Sequence, residues 1–133
     1  MHKDSISPSV SLELGGQQRQ LVFDFNAQAA FEKVTGIAVG DLFDRRGKLK
    51  IASRFTRALL WSQLLHFDKR VQFDEFGEIV APPELSMQQV GALITRANLN
   101  EVTRKTAEAL IAFYREPKAD EGNEGGEENP QSR

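Results

Sequence analysis

The chain has 133 residues, of which 40% are hydrophobic and 27% charged, enough for one domain with a core of its own. It contains no cysteine, which excludes disulfides, thiolate metal sites and cysteine nucleophiles, and no apolar run of the roughly 18 residues a membrane helix needs. The net charge of −2 hides a division: residues 116–133 hold six acids and two bases, leaving 15 bases and 13 acids in the other 115 residues.

The opening residues, MHKDSISPS, lack the apolar stretch of a secretory signal, so the expected compartment is a cytoplasm and residues 1–9 read as a flexible leader. Val10, Leu12 and Leu14 alternate with polar residues, as a half-buried strand requires. GGQQR reads as a turn. Leu21, Phe23 and Phe25 then alternate as the returning strand, and Asn26 is the expected N-cap of a helix whose apolar stripe is Ala27, Ala30, Phe31 and Val34. Gly36 closes that helix.

A short helical turn is expected over Val39–Phe43, followed by a polar loop. From Ile51 to Leu65 the pattern predicts the main helix. Phe55, Ala58, Leu59, Ser62 and Leu65 mark one face, and Leu60, Trp61 and Leu64 widen it, as in a central helix touched on two sides. Around DEFG, the apolar residues Val71, Phe73 and Ile79 suggest a small second hairpin, which Pro82-Pro83 closes off. Ser86 caps a helix with the stripe Met87, Val90, Ile94 and Ala97. A last helix starts at Asn98 or Asn100, turns Val102, Thr106, Ala109, Leu110 and Phe113 inward, and stops near Arg115, before Pro117. Residues 116–133 have no large apolar side chain to offset the entropy of ordering and read as a disordered acidic tail. The expected fold is therefore α+β and mostly α, with an N-terminal β-hairpin packed on a four- to five-helix array spanning residues 10–115.

Reactive constellations are missing from the sequence. His2 and His66 are too few and too far apart for the three or four ligands of a metal site. Asp74, Glu75 and Glu78 cluster without an apolar pocket to set their pKa values apart, so a solvated turn explains them. Gly15-Gly16 precedes a strand, whereas a phosphate loop opens a helix. No catalytic, cofactor-binding or metal residue is assigned, and the chain reads as a non-enzyme. The charged feature that stands out is RRGKLKIASRFTR, residues 45–57, with six bases and no acid. Arg45, Arg46, Lys48, Lys50, Arg54 and Arg57 fit either a solvated face, a phosphate backbone, or an acidic protein segment, this chain's own tail included. Trp61 and Tyr114 are candidate partner contacts, and Phe113 stands beside them, although helical spacing more often makes all three core residues.

The stretch LGGQQRQLVFDFNAQAAFEKVTG resembles the N-terminal signature of tail assembly chaperones from long-tailed bacteriophages and gene-transfer-agent-like prophages. FTRALLWSQLL is similar to that family's central helix and LSMQQVGALI to the helix after it, whereas FDKRVQFDEFGEIVAPPE is longer than the family pattern. The resemblance implies a non-enzymatic partner of the tape-measure protein, a long helical polypeptide held in the host cytoplasm while tail-tube subunits polymerise around it. It further implies a role in virion assembly without a place in the finished virion, contacts to tail-tube subunits or to other copies of itself, and a longer product made by ribosomal frameshift near EGNEGGEENPQSR. The alternative from the residues alone is a small nucleic-acid-binding regulator using the basic segment.

Overall fold

A computed structural model describes residues 8–115. The expected tail over 116–133, the stop at Pro117 and most of the leader lie outside the described residues. Within them the architecture is α+β and mostly α: an N-terminal two-stranded hairpin and four α-helices, with a second, smaller hairpin between the second and third helix.

Strands β1 (Val10–Leu14) and β2 (Gln17–Leu21) pair antiparallel, Leu14 opposite Gln17 and Val10 opposite Leu21. Gly15 and Gly16 alone form the turn, both at positive φ (63° and 78°), the signature of a two-residue type I′ connection. The turn is thus shorter than expected and the returning strand starts earlier. Having paired through Leu21, the chain dives into the interior. Leu21, Val22 and Phe23 are all fully buried, and the Val22 N–H donates to the Gln63 carbonyl at 3.0 Å. Alternation therefore ends at Leu21: Val22 points inward and Phe25, expected inside, is 76% exposed.

Helix α1 (Phe25–Thr35) is capped by Asp24 and not by Asn26. The Asp24 carboxylate accepts from the Ala27 N–H at 2.9 Å through one oxygen and meets His66 Nδ1 at 2.9 Å through the other. A long-range partner decides between two good capping residues. Ala27, Ala30 and Phe31 are buried, Val34 is half-exposed, and Gly36 supplies the expected left-handed C-cap. A single 3-10 turn over Val39–Leu42 follows.

Helix α2 (Ser53–Gln63) is the central element. Its Leu60 and Trp61, with Leu65 just beyond, pack with the hairpin, Val90 and Val102; its Ala58 and Leu59 pack with Phe23, Phe31 and Leu110. Burying such a side chain contributes roughly 1.5–3 kcal/mol, so the two-sided face of α2 anchors the domain. Helix α3 (Met87–Leu93) opens with a full capping box, Ser86 and Gln89 each accepting from the other's backbone N–H. It is shorter than its expected stripe, because Ile94 is extended and Ala97 exposed. Helix α4 (Leu99–Arg115) buries Val102, Thr106, Ala109 and Leu110 against α2 and β1, with Phe113 partly covered.

The second hairpin, β3 (Gln72–Phe73) with β4 (Ile79–Ala81), is the one suggested around DEFG. It repeats, in seven residues, the loop after the 3-10 turn. Phe43-Asp44-Arg45-Arg46-Gly47-Lys48-Leu49 and Phe73-Asp74-Glu75-Phe76-Gly77-Glu78-Ile79 share the pattern F-D-x-x-G-x-L/I. In both, the aspartate accepts from the N–H groups two and four residues on, at 2.9 Å each, and the glycine has a φ near +80°, which is why only glycine suits it. Both pair the flanking apolar residues, Phe43 with Leu49 and Phe73 with Ile79. One turn therefore carries two opposite charges: basic at the first tip and acidic at the second.

Candidate functional site

The inner face of the N-terminal hairpin generates the first surface. Opposite residues of an antiparallel pair share a face, so Arg19 and Gln17 stand beside the buried Leu12 and Leu14. They are too polar to be sealed over, and the chain leaves a groove of about 450 Å³ along them. Trp61, Leu64, Leu65 and Val90 contribute its apolar lining, and Phe67, Pro83 and Leu85 line it from the segment between α2 and α3. Asp68 closes the base of that segment. Its carboxylate accepts from the Arg70 N–H at 2.8 Å and from the Glu84 N–H at 2.7 Å, tying together residues sixteen apart.

A second groove, about 560 Å³, lies between α1 and the second hairpin. Ala30, Val34, Phe76 and Ile79 line it, and Trp61 lies against this groove as well as the first. Here the hairpin is held by Gly77 close to Ala29 and by an exposed ion pair in which Lys33 Nζ donates to Glu78 at 2.8 Å. The segment from Leu64 to Leu85 thus lies over Trp61 and carries three large apolar side chains turned outward: Phe67 at 52%, Phe76 at 80% and Val80 at 60% exposure. The indole itself is buried, its Nε1–H without a hydrogen-bond partner among the described residues.

The basic segment forms the other surface, and the structure divides its six cations. Arg45, Arg46, Lys48 and Lys50 are exposed on the first F-D-x-x-G hairpin. Arg54 and Arg57, on α2, are exposed as well: Arg54 places its guanidinium 4.7 Å from the centre of the Phe55 ring, and Arg57 lays its aliphatic stem over Gly91 of α3, where an added Cβ would meet its Cδ at 2.8 Å. Tyr114 joins the first group. Its ring meets Phe43 edge-on at 5.3 Å, and Phe113, at 5.2 Å from Tyr114, continues the contact to Phe23 and Phe25. Partial burial and the nearby Glu32 carboxylate, in that order, raise the Tyr114 hydroxyl above its ordinary pKa of 10.0.

Among the described residues, no three or more histidines and acids come together as metal ligands, and no helix is long and apolar enough to cross a membrane. The Asp74, Glu75 and Glu78 cluster is a turn, with the Asp74 carboxylate engaged by backbone N–H groups and that of Glu78 paired with Lys33. Phe67, Phe76 and Val80 were not singled out from sequence. One signal for Phe76 was present: an aromatic ring at the tip of a tight turn has no strand beneath it to cover it. A scan against protein-family models and searches of curated proteins and solved structures return no match.

Proposed function

We propose that this chain is a non-enzymatic tail assembly chaperone, which holds apolar faces of the helical tape-measure protein in the host cytoplasm while the tail tube grows. The observation that carries this reading is the outward apolar surface of residues 64–85: Phe67 lines one groove and Phe76 the other, both grooves are also lined by Trp61, and Val80 is exposed on β4. Exposed apolar side chains beside apolar grooves suit a protein client, and grooves of this kind take the i, i+3, i+4 anchors of an amphipathic helix. Mixed charge around the grooves, from Arg19, Lys69, Asp68 and Glu84, orients a client and keeps the empty surface wetted. The likeness of the three quoted stretches to the chaperone family supports the same reading.

Nucleic-acid binding is the second reading, favoured by four exposed cations on one hairpin. It ranks lower because the domain as a whole is not basic, with 15 bases against 13 acids over residues 1–115. Co-expression of the tagged chain with the tape-measure protein encoded in its own gene cluster separates the two. The chaperone reading expects that client to become soluble and to co-purify through high salt. Elution with nucleic acid, lost steeply as salt rises, would support the regulator.

A further inference from the structure

Residues 66–85 cross Trp61 from one groove to the other. The base of the segment, residues 67–69 and 83–85, lines the groove beside the first hairpin, and its tip, residues 76–79, lines the groove beside α1. Trp61 lies in the wall of both, so the segment stands between them.

The segment is braced within itself and weakly held to the body. The Asp68 carboxylate ties its base, the Asp74 carboxylate ties its tip, and β3 pairs with β4 alone. Between Leu65 and Val90 no residue is buried, and Val71, Phe73, Ile79 and Leu85 are only partly buried against the core beneath. Among the described residues, no backbone–backbone hydrogen bond joins residues 69–85 to the rest of the chain. Their side-chain tie to the body is the exposed Lys33–Glu78 ion pair, whose contribution in water is small. A unit with so little buried surface and a solvent-exposed latch opens more easily than the domain unfolds.

The closed arrangement leaves the Trp61 Nε1–H buried with no partner among the described residues, a cost that opening relieves. Volume points the same way. One helical turn, about 5.4 Å of a cylinder about 10 Å across, occupies roughly 400 Å³. The grooves, about 450 and 560 Å³, therefore each match about one turn. The i, i+3, i+4, i+7 stripe of an amphipathic helix spans two turns, which neither groove takes alone.

We propose that residues 66–85 are a lid, hinged beside Leu65 and Ser86, whose opening uncovers Trp61 and joins the two grooves into one channel with room for two helical turns. The lid carries Phe67 and Phe76 with it as the rim of that channel. What enters, an apolar helical stripe of the client, rests on the chaperone reading; the lid itself does not.

A disulfide between Ala29→Cys and Gly77→Cys tests the lid. A Cβ at Gly77 would stand 3.6 Å from that of Ala29, within the roughly 3.5–4.5 Å that a disulfide bridges, and the chain has no native cysteine. The oxidised and reduced forms of this chain share whatever strain a side chain brings to the positive φ of Gly77, so each controls the other. Exchange of the Trp61 indole N–H, the single tryptophan signal, is expected to be at least about tenfold slower in the oxidised form. Lys33→Ala removes the latch without touching Gly77 and is expected to speed that exchange relative to the native chain. Affinity for a helical tape-measure segment is expected to fall at least about tenfold on oxidation and to return with reductant. Indole exchange alike in both forms and unmoved by Lys33→Ala would overturn the lid. Slowed exchange with the segment bound equally by both forms would overturn the joined channel. Slowed exchange in a chain that binds the segment in neither form would count against the chaperone reading and leave the lid standing.

Discussion

At the scale of single residues, Asp24 does two jobs with one carboxylate: it caps α1 and receives the His66 ring from the far end of α2. An ionised carboxylate only accepts, so His66 Nδ1 carries the proton of that bond. Asp24→Ala removes both contacts and is expected to cost about 1–2 kcal/mol, mainly from the cap, read as a Tm lowered by roughly 4–8 °C per kcal/mol. Asp24→Asn keeps a capping oxygen and is expected to lose much less. Tyr114, the single tyrosine, offers a second test, because its ionisation can be followed by absorbance without interference. Its midpoint is expected above 10.0, and Glu32→Gln lowers it only part of the way, since burial is the larger cause. The folded chain holds the phenol proton more tightly than the unfolded chain. Stability is therefore complete below the ordinary tyrosine pKa and falls as pH rises through it, a loss that Tyr114→Phe abolishes.

At the scale of elements, the repeated F-D-x-x-G-x-L/I turn is a local device that depends on its glycine. Gly77→Ala forces an alanine into a left-handed backbone at a cost of about 1–2 kcal/mol. Because β3 and β4 are short and partly exposed, amide exchange over Gln72–Ala81 is expected to rise about tenfold while the global Tm moves little. Asp68→Ala frees the base of the same segment and is expected to direct limited proteolysis to residues 66–85. Much at this scale was legible in the letters. Val10, Leu12 and Leu14 announced a strand, Gly36 an end, and the two-sided stripe of α2 a central helix. What failed did so for tertiary reasons: Leu21, Val22 and Phe23 are all buried because the chain crosses the interior there, and periodicity cannot register a strand that leaves its sheet. The polar Gln17 and Arg19 hid β2, since they share the inner face of the hairpin but line an open groove.

At the scale of the whole molecule, the candidate site was the least legible part. Sequence patterns identify apolar residues and not those that lack a neighbour, so Phe67 and Phe76 looked like Phe23 and Phe31 until the fold sorted them. The basic run was plain in the sequence and all six of its cations are exposed, but α2 begins at Ser53, so Arg54 and Arg57 stand on a helix and the other four on the hairpin. The resulting molecule has exposed apolar side chains beside grooves at Trp61 and a cationic hairpin with Tyr114 at its foot. On the proposed function the client is held by the first and not by the second.

The measurement that bears on it most directly is the affinity of the purified chain for a helical tape-measure segment at low and high salt. It would be made for the native chain, for a chain with Phe67→Ser, Phe76→Ser and Val80→Ser, and for one with Arg45, Arg46, Lys48 and Lys50 changed to Gln. Of these seven positions Arg45, Arg46, Phe67 and Phe76 lie in turns, Lys48 and Lys50 in the loop after the turn and only Val80 in a strand, and all seven are exposed, so folding is expected to survive, and the Tm of each variant checks it. Binding is expected to persist at high salt, to fall at least about tenfold in the apolar variant, which corresponds to about 1.4 kcal/mol, and to change little in the hairpin variant. Binding that vanishes with salt and with the hairpin charges, but survives loss of Phe67, Phe76 and Val80, would contradict the account.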